Sequence, residues 1–194
     1  MKITKERWIA AQKEEFRLSS IDINPKIYEN FYAIIAQLLG IDFDTDFTGK
    51  SIIEIGCGPL GATLLTENFS KATVIEPLLY AWGQEYVDCY NEKNIKIVTS
   101  TYEEYEVGEV DETWFFNVLQ HVISPEVQLN KAMKTSKVVR VFEPINYPEE
   151  LAHPHVLTEE LFTSILGKDF GIKYIGGSIE NFHTSDCYYG TWVK

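Results

Sequence analysis

The sequence predicts an α/β fold: a single doubly wound sheet of seven strands, with an antiparallel C-terminal strand pair and two extra N-terminal helices. Three observations lead there. Short apolar runs at 51–56, 72–76, 95–98, 112–117 and 138–142 alternate with stretches of helical composition, the pattern of parallel strands joined by right-handed crossovers. Two more runs, 172–175 and 187–193, have no helix between them and therefore pair antiparallel. At 194 residues the chain is long enough for one domain with a full core. Residues 1–44 read as a helical extension or lid, and residues 45–194 as the domain behind it.

Taken in order, residues 5–18 read as an amphipathic helix, with Trp8, Ala11, Glu15 and Leu18 near the helical period. Pro25 suits the first turn of a second helix, Phe31, Ile34, Ile35, Leu38 and Leu39 give it an apolar face, and Gly40 suits its end. Residues 42–50 are polar and read as a linker. The first strand holds Ile52, Ile53 and Ile55, a run buried on both faces as in a parallel sheet. Helices are expected over 61–69, 80–91 and 125–135, the last opened by Pro125. Thr158 is the expected N-cap of a helix to residue 166, with Glu159 and Glu160 near its positive end.

Gly56, Gly58 and Gly61 follow the first strand at G-x-G-x-x-G spacing. Glycines there permit positive φ and let a ligand approach the backbone, and a helix behind them offers free N–H groups. Dinucleotide sites use the same spacing with an acidic residue about 20 positions later, which Glu76 satisfies. Two residues argue against a pyrophosphate. Glu54 sets a carboxylate just before the turn, and Pro59 removes one loop N–H. A ligand with a ribose and a positive charge fits better, and S-adenosylmethionine (SAM) has both.

On these residues the chain resembles the class I SAM-dependent methyltransferases of small-molecule type, whose sheet is Rossmann-like. The resemblance rests on residues 54–61, on Glu76 at a strand end and on residues 117–122, and it covers about 45–194. It implies that Glu54 lies near the methionine ammonium, that Gly56, Cys57, Gly58 and Gly61 form the cradle, and that Glu76 takes the ribose hydroxyls. Pro77 follows that acid, and Leu78 would cover the adenine. Ser100 and Thr101 stand where the family usually has Asp or Asn beside the adenine amino group. Backbone at Asn117 and Val118 would face the sulfonium, and S-adenosylhomocysteine would be the product. The N-P-P-Y-like element of enzymes that methylate DNA amines or protein glutamine is absent, since Asn117 is followed by Val118, Leu119 and Gln120.

His121 is the candidate catalytic residue, as general base or as a positioning group. Glu143, Tyr147, His153 and His155 fall on the same carboxyl edge and are the candidates for binding the acceptor. The His153-x-His155 pair has the look of a metal pair, but prolines flank it and no third ligand follows, so no metal is expected. Net charge is −12, with three arginines (Arg7, Arg17 and Arg140) and no basic run, which works against nucleic acid and anionic lipid. The acidic stretch 103–112 reads as a solvated loop. Three dispersed cysteines without a C-x-x-C, no apolar leader and no apolar run long enough for a bilayer point to a soluble cytoplasmic protein. The expected activity is methyl transfer to a hydroxyl- or amine-bearing metabolite, a sugar or a biosynthetic intermediate. The alternatives are a non-catalytic SAM- or nucleotide-binding regulatory domain and an NAD(P)-dependent oxidoreductase, and oligomeric state stays open.

Overall fold

The structure, a computed structural model, describes residues 2–19, 23–180 and 182–194. Among the described residues, seven strands form one sheet: β1 (Ser51–Ile55), β2 (Lys71–Ile75), β3 (Lys96–Val98), β4 (Val110–Phe116), β5 (Ser136–Pro144), β6 (Ile172–Tyr174) and β7 (Cys187–Val193). Their order is β3-β2-β1-β4-β5-β7-β6. β1 to β5 pair in parallel, and β7 lies antiparallel to both β5 and β6. The seven strands and the antiparallel pair match the expectation. Strand order reverses at β1, which lies between β2 and β4, and such a switch point opens a crevice at the carboxyl ends of the strands.

The helices are α1 (Lys5–Ser19), α2 (Pro25–Leu39), α3 (Leu79–Trp82), α4 (Gln84–Glu92), α5 (Pro125–Thr135) and α6 (Glu159–Leu166). Pro25 opens α2, whose N-cap Asn24 accepts from Lys26 N, and Gly40 closes it in the left-handed region. Thr158 caps α6 by accepting from Leu161 N. The single helix expected over 80–91 is broken into α3 and α4 at Gly83, whose φ is 145°.

One expected helix is missing. Residues 61–69 form only a 3-10 turn, Ala62–Leu65, and the backbone leaves the helical region at Thr66 with ψ 146°. The expected linker 42–50 is also more than a linker. Phe43 and Phe47 are buried and pack on Trp114, with Phe47 and Trp114 ring centroids 4.7 Å apart.

The two N-terminal helices attach differently. α2 buries Tyr32, Ile35 and Ala36 in a core shared with Trp114, Phe116 and Phe142 of the sheet. α1 buries only Ala11 fully and is held largely by polar contacts, including Arg7 to the carbonyls of Glu150 and Leu151 at 2.6 Å each. Among the described residues, no helix is long and apolar enough to cross a membrane.

Candidate functional site

A cavity of about 310 Å³ lies over the carboxyl ends of β1, β2 and β4, a size in the range of small-molecule sites. Its floor begins at the glycine turn. Gly56 and Gly58 have φ of 63° and 60°, so both need the freedom of glycine. A Cβ on Gly56 would lie 2.0 Å from Val118 Cγ2, whereas one on Gly58 would meet nothing within 4 Å. Gly58 lines the cavity, so a side chain there would project into the space. Cys57 and Pro59 line it beside Gly58, while Gly61 sits behind, its N–H donating to Tyr90 Oη at 2.7 Å.

Glu54 does not face the cavity. It is 1% exposed, and its carboxylate accepts from Ala62 N at 2.8 Å, Thr63 N at 2.9 Å and Thr63 Oγ1 at 2.8 Å. Burial raises its pKa, and these bonds oppose the rise. The N–H groups that a pyrophosphate would use are thus already occupied by an internal carboxylate. The sequence argument against a pyrophosphate stands on a different footing: Glu54 fills the anion site rather than repelling the anion across it. The same bonds tie residues 62–63, the start of the 3-10 turn, to β1.

Glu76 does line the cavity, at the end of β2. Its Oε2 accepts from Gly58 N at 3.1 Å and its Oε1 from Leu78 N at 2.9 Å, so the acid clamps the glycine turn to the strand that follows it. Burial pushes its pKa up to about 7, against the pull of the two N–H groups. Pro77 and Leu78 continue the wall. Ser100 and Thr101 line the end beyond β3, joined there by two residues that the sequence did not single out, Glu103 and Gln128. Glu103 accepts from Ser124 N at 3.2 Å and Gln128 Nε2 at 2.8 Å, which leaves Gln128 Oε1 buried without a partner. Glu103 therefore departs from the solvated acidic loop to which its neighbours gave it the look of belonging. The cue available was its place a few residues beyond β3.

At the end of β4, Asn117 takes φ 61° and its N–H donates to Phe142 O at 2.7 Å. Asn117 and Val118 line the cavity. Val118 N donates to both oxygens of Glu143, at 2.9 and 3.0 Å, and Leu119 N to Oε2 at 3.0 Å. Glu143 is fully buried by this arrangement, with its pKa pushed up to about 8 by burial. It supports the β4 turn from behind and does not line the cavity expected to hold the acceptor.

His121 lines the cavity. Its Nδ1 is 3.0 Å from Ala152 O and its Nε2 is 3.3 Å from Gln120 Nε2, whose amide also reaches Asn117 Oδ1. A carbonyl requires a donor and an amide N–H an acceptor, so this pattern assigns the proton to Nδ1 and the lone pair to Nε2. Burial pushes its pKa down to about 4. His121 is a neutral, weak base at physiological pH, which favours the positioning role over the general base.

The other expected acceptor residues divide. His153 packs against His121 with the rings tilted by 58° and the centroids 4.7 Å apart. Tyr147 packs edge-on against His153 but points to Glu150 and a separate surface hollow. His155 is 4% exposed and its Nε2 meets Val122 O at 2.9 Å, so it is a packing residue and does not converge with His153. The roof comes from the N-terminal helices, with Trp8, Gln12, Glu15 and Ser19 of α1 and Tyr28, Phe31 and Tyr32 of α2.

No protein-family model and no curated protein matches the sequence. Solved structures do match in fold. Magnesium protoporphyrin IX methyltransferase from Synechocystis PCC 6803, with bound SAM, superposes with a TM-score of 0.61 at 12% identity over 99% of this chain and 98% of that one. The 1,6-didemethyltoxoflavin-N1-methyltransferase of Burkholderia thailandensis, with its substrate and S-adenosylhomocysteine, gives 0.64 at 12% identity over 99% and 91%. The cyclase SpnF gives 0.51 at 16% identity over 69% and 53%. The fold is that of the class I SAM-dependent methyltransferases.

Proposed function

We propose that a chain with this fold and this cavity is a methyltransferase that binds SAM and passes its methyl group to a small acceptor under the roof of α1 and α2. The observation that carries the reading is the clamp at the switch point: Glu76 bridges Gly58 and Leu78 at the floor of the cavity. The residues present fit the cofactor. Glu76 keeps lone pairs free for two ribose hydroxyls, since a carboxylate offers about four acceptor positions and two are used. Ser100, Thr101, Glu103 and Gln128 bring acceptor oxygens to the end beyond β3, which supports an amino-bearing base there. Gln128 Oε1 has no partner of its own.

When bound, SAM supplies an electrophilic methyl carbon on a sulfonium. The chain's part is alignment and exclusion of water. Trp8, Tyr28 and Tyr32 wall the cavity with aromatic faces suited to a cation. His121 holds its proton at Nδ1 toward Ala152 O and keeps a fixed orientation. A base this weak does little to ionise an alcohol, so the protein side alone favours an amine or an already acidic hydroxyl as acceptor. A net charge of −12 supports a small molecule over a nucleic acid.

Calorimetry with S-adenosylhomocysteine and with NAD tests the reading, alongside native mass spectrometry for co-purified nucleoside. S-adenosylhomocysteine is expected to bind one-to-one and NAD not measurably. Tighter binding of NAD would overturn it.

A further inference from the structure

We propose that Glu15, His121 and His153 form a divalent metal site at the acceptor end of the cavity. One ligand atom from each lies within 4.8 Å of the other two. They come from three separate places, the roof helix α1, the turn after β4 and the loop after β5, so folding rather than local sequence gathers them. Glu15 Oε2 is 3.7 Å from His121 Nδ1, and the two imidazole centroids are 4.7 Å apart with the rings tilted by 58°.

Hydrogen bonding within the cluster is incomplete. His153 Nδ1 is buried with no hydrogen-bond partner, the nearest carboxylate oxygen being Glu150 Oε2 at 3.6 Å. Among the described residues, no donor lies within hydrogen-bond distance of the Glu15 carboxylate. The Glu15 side chain is 29% exposed, so its carboxylate is only partly shielded from water and stays available to a cation. A cation shared by one carboxylate and two imidazoles would satisfy the Glu15 carboxylate and take one ring nitrogen from each histidine.

Two nitrogens and one oxygen suit zinc, iron(II), cobalt or nickel rather than magnesium or calcium. Three protein ligands leave positions free for a substrate atom, as in catalytic rather than structural sites. Glu15 and His121 both line the cavity, so a free position can face the acceptor. There the cation would act as a Lewis acid on an acceptor hydroxyl, lowering its pKa where His121 by itself cannot. The site stands on its own geometry, and only this role rests on the methyltransferase reading. Because Glu15 belongs to α1, the cation would also tie the roof to the body of the domain.

The test uses the full chain, stripped by a chelator and titrated with Zn²⁺ or Co²⁺ in the absence of SAM, so its outcome is separate from cofactor binding. Calorimetry is expected to give one Zn²⁺ per chain, and Co²⁺ to give visible absorption of a low-coordinate nitrogen and oxygen site. Glu15→Gln and His153→Ala should each weaken Zn²⁺ by tenfold or more, with folding checked by circular dichroism, while Cys89→Ser leaves it unchanged. Zn²⁺ should also slow proteolysis within residues 5–19, and not in Glu15→Gln. A zinc dissociation constant weaker than about 1 mM, or one that neither variant moves, would overturn the proposal.

Discussion

Glu76 makes the sharpest prediction among single residues. Its folded pKa of about 7 means that it is mostly protonated below neutral pH. Hydroxyl donors favour the ionised acid, so affinity for S-adenosylhomocysteine should rise as pH goes from about 5.5 to 8.5. Glu76→Ala should weaken it by roughly 10- to 100-fold, as expected for one or two hydrogen bonds to a charge. A flat affinity profile in calorimetry, or an unchanged constant in a folded variant, would remove Glu76 from the site. Gly56→Ala tests the turn itself. Positive φ and a Cβ 2.0 Å from Val118 Cγ2 should cost about 1–3 kcal/mol and cofactor affinity together, read as a lowered Tm and a raised Kd. Gly56, Gly58 and Glu76 were legible from spacing because their roles are local. The direction in which Glu54 points was not, because the partners that capture it, Ala62 and Thr63, outbid the ligand only once the turn has closed. Glu15 was legible only as a helix position, since its neighbours His121 and His153 arrive from distant chain.

Among the elements, α1 is the one that can be removed with least damage to the core. α2 cannot, because Tyr32, Ile35 and Ala36 belong to the same apolar cluster as the sheet. α1 contributes Trp8, Gln12, Glu15 and Ser19 to the cavity while anchoring through Arg7 and through Ser19, which accepts from Trp82 Nε1 at 3.1 Å. Deleting residues 1–20 should therefore cost acceptor turnover far more than S-adenosylhomocysteine binding. Loss of both in equal measure, by steady-state kinetics and calorimetry, would make α1 part of the cofactor site instead. The periods of the strands and of α1, α2, α5 and α6 were visible in the sequence. What propensity could not show was tertiary context: the 3-10 turn over Ala62–Leu65, the break at Gly83, and a polar-looking loop that carries Phe43 and Phe47 into the core.

For the molecule as a whole, two sets of buried groups pull stability in opposite directions with pH. Glu76 and Glu143 have folded pKa values raised to about 7 and about 8. Stability from raised groups is fully present below their unfolded pKa and is lost as pH rises through the folded one, here on the order of a few kcal/mol. The four histidines are lowered by burial, so their contribution is present above about 6.5 and is lost as pH falls. The unliganded protein should therefore melt highest near pH 6–7, and a Tm that climbs steadily to pH 8.5 would contradict this balance.

The position of β7 also governs how the protein can be made. β7 follows every other strand in the chain, yet it lies inside the sheet, between β5 and β6. Until residues 187–193 leave the ribosome, β5 presents an unpaired edge beside Val139, Val141 and Phe142, and β6, three residues long, has no neighbour. An open apolar edge is a template for the wrong partner. Folding of the sheet is thus vulnerable until β7 has emerged. A ribosome stalled short of Cys187 should expose a sticky, chaperone-dependent intermediate rather than a nearly finished domain, and the same nascent chain extended past Val193 with a flexible tether should become protease-resistant while still attached.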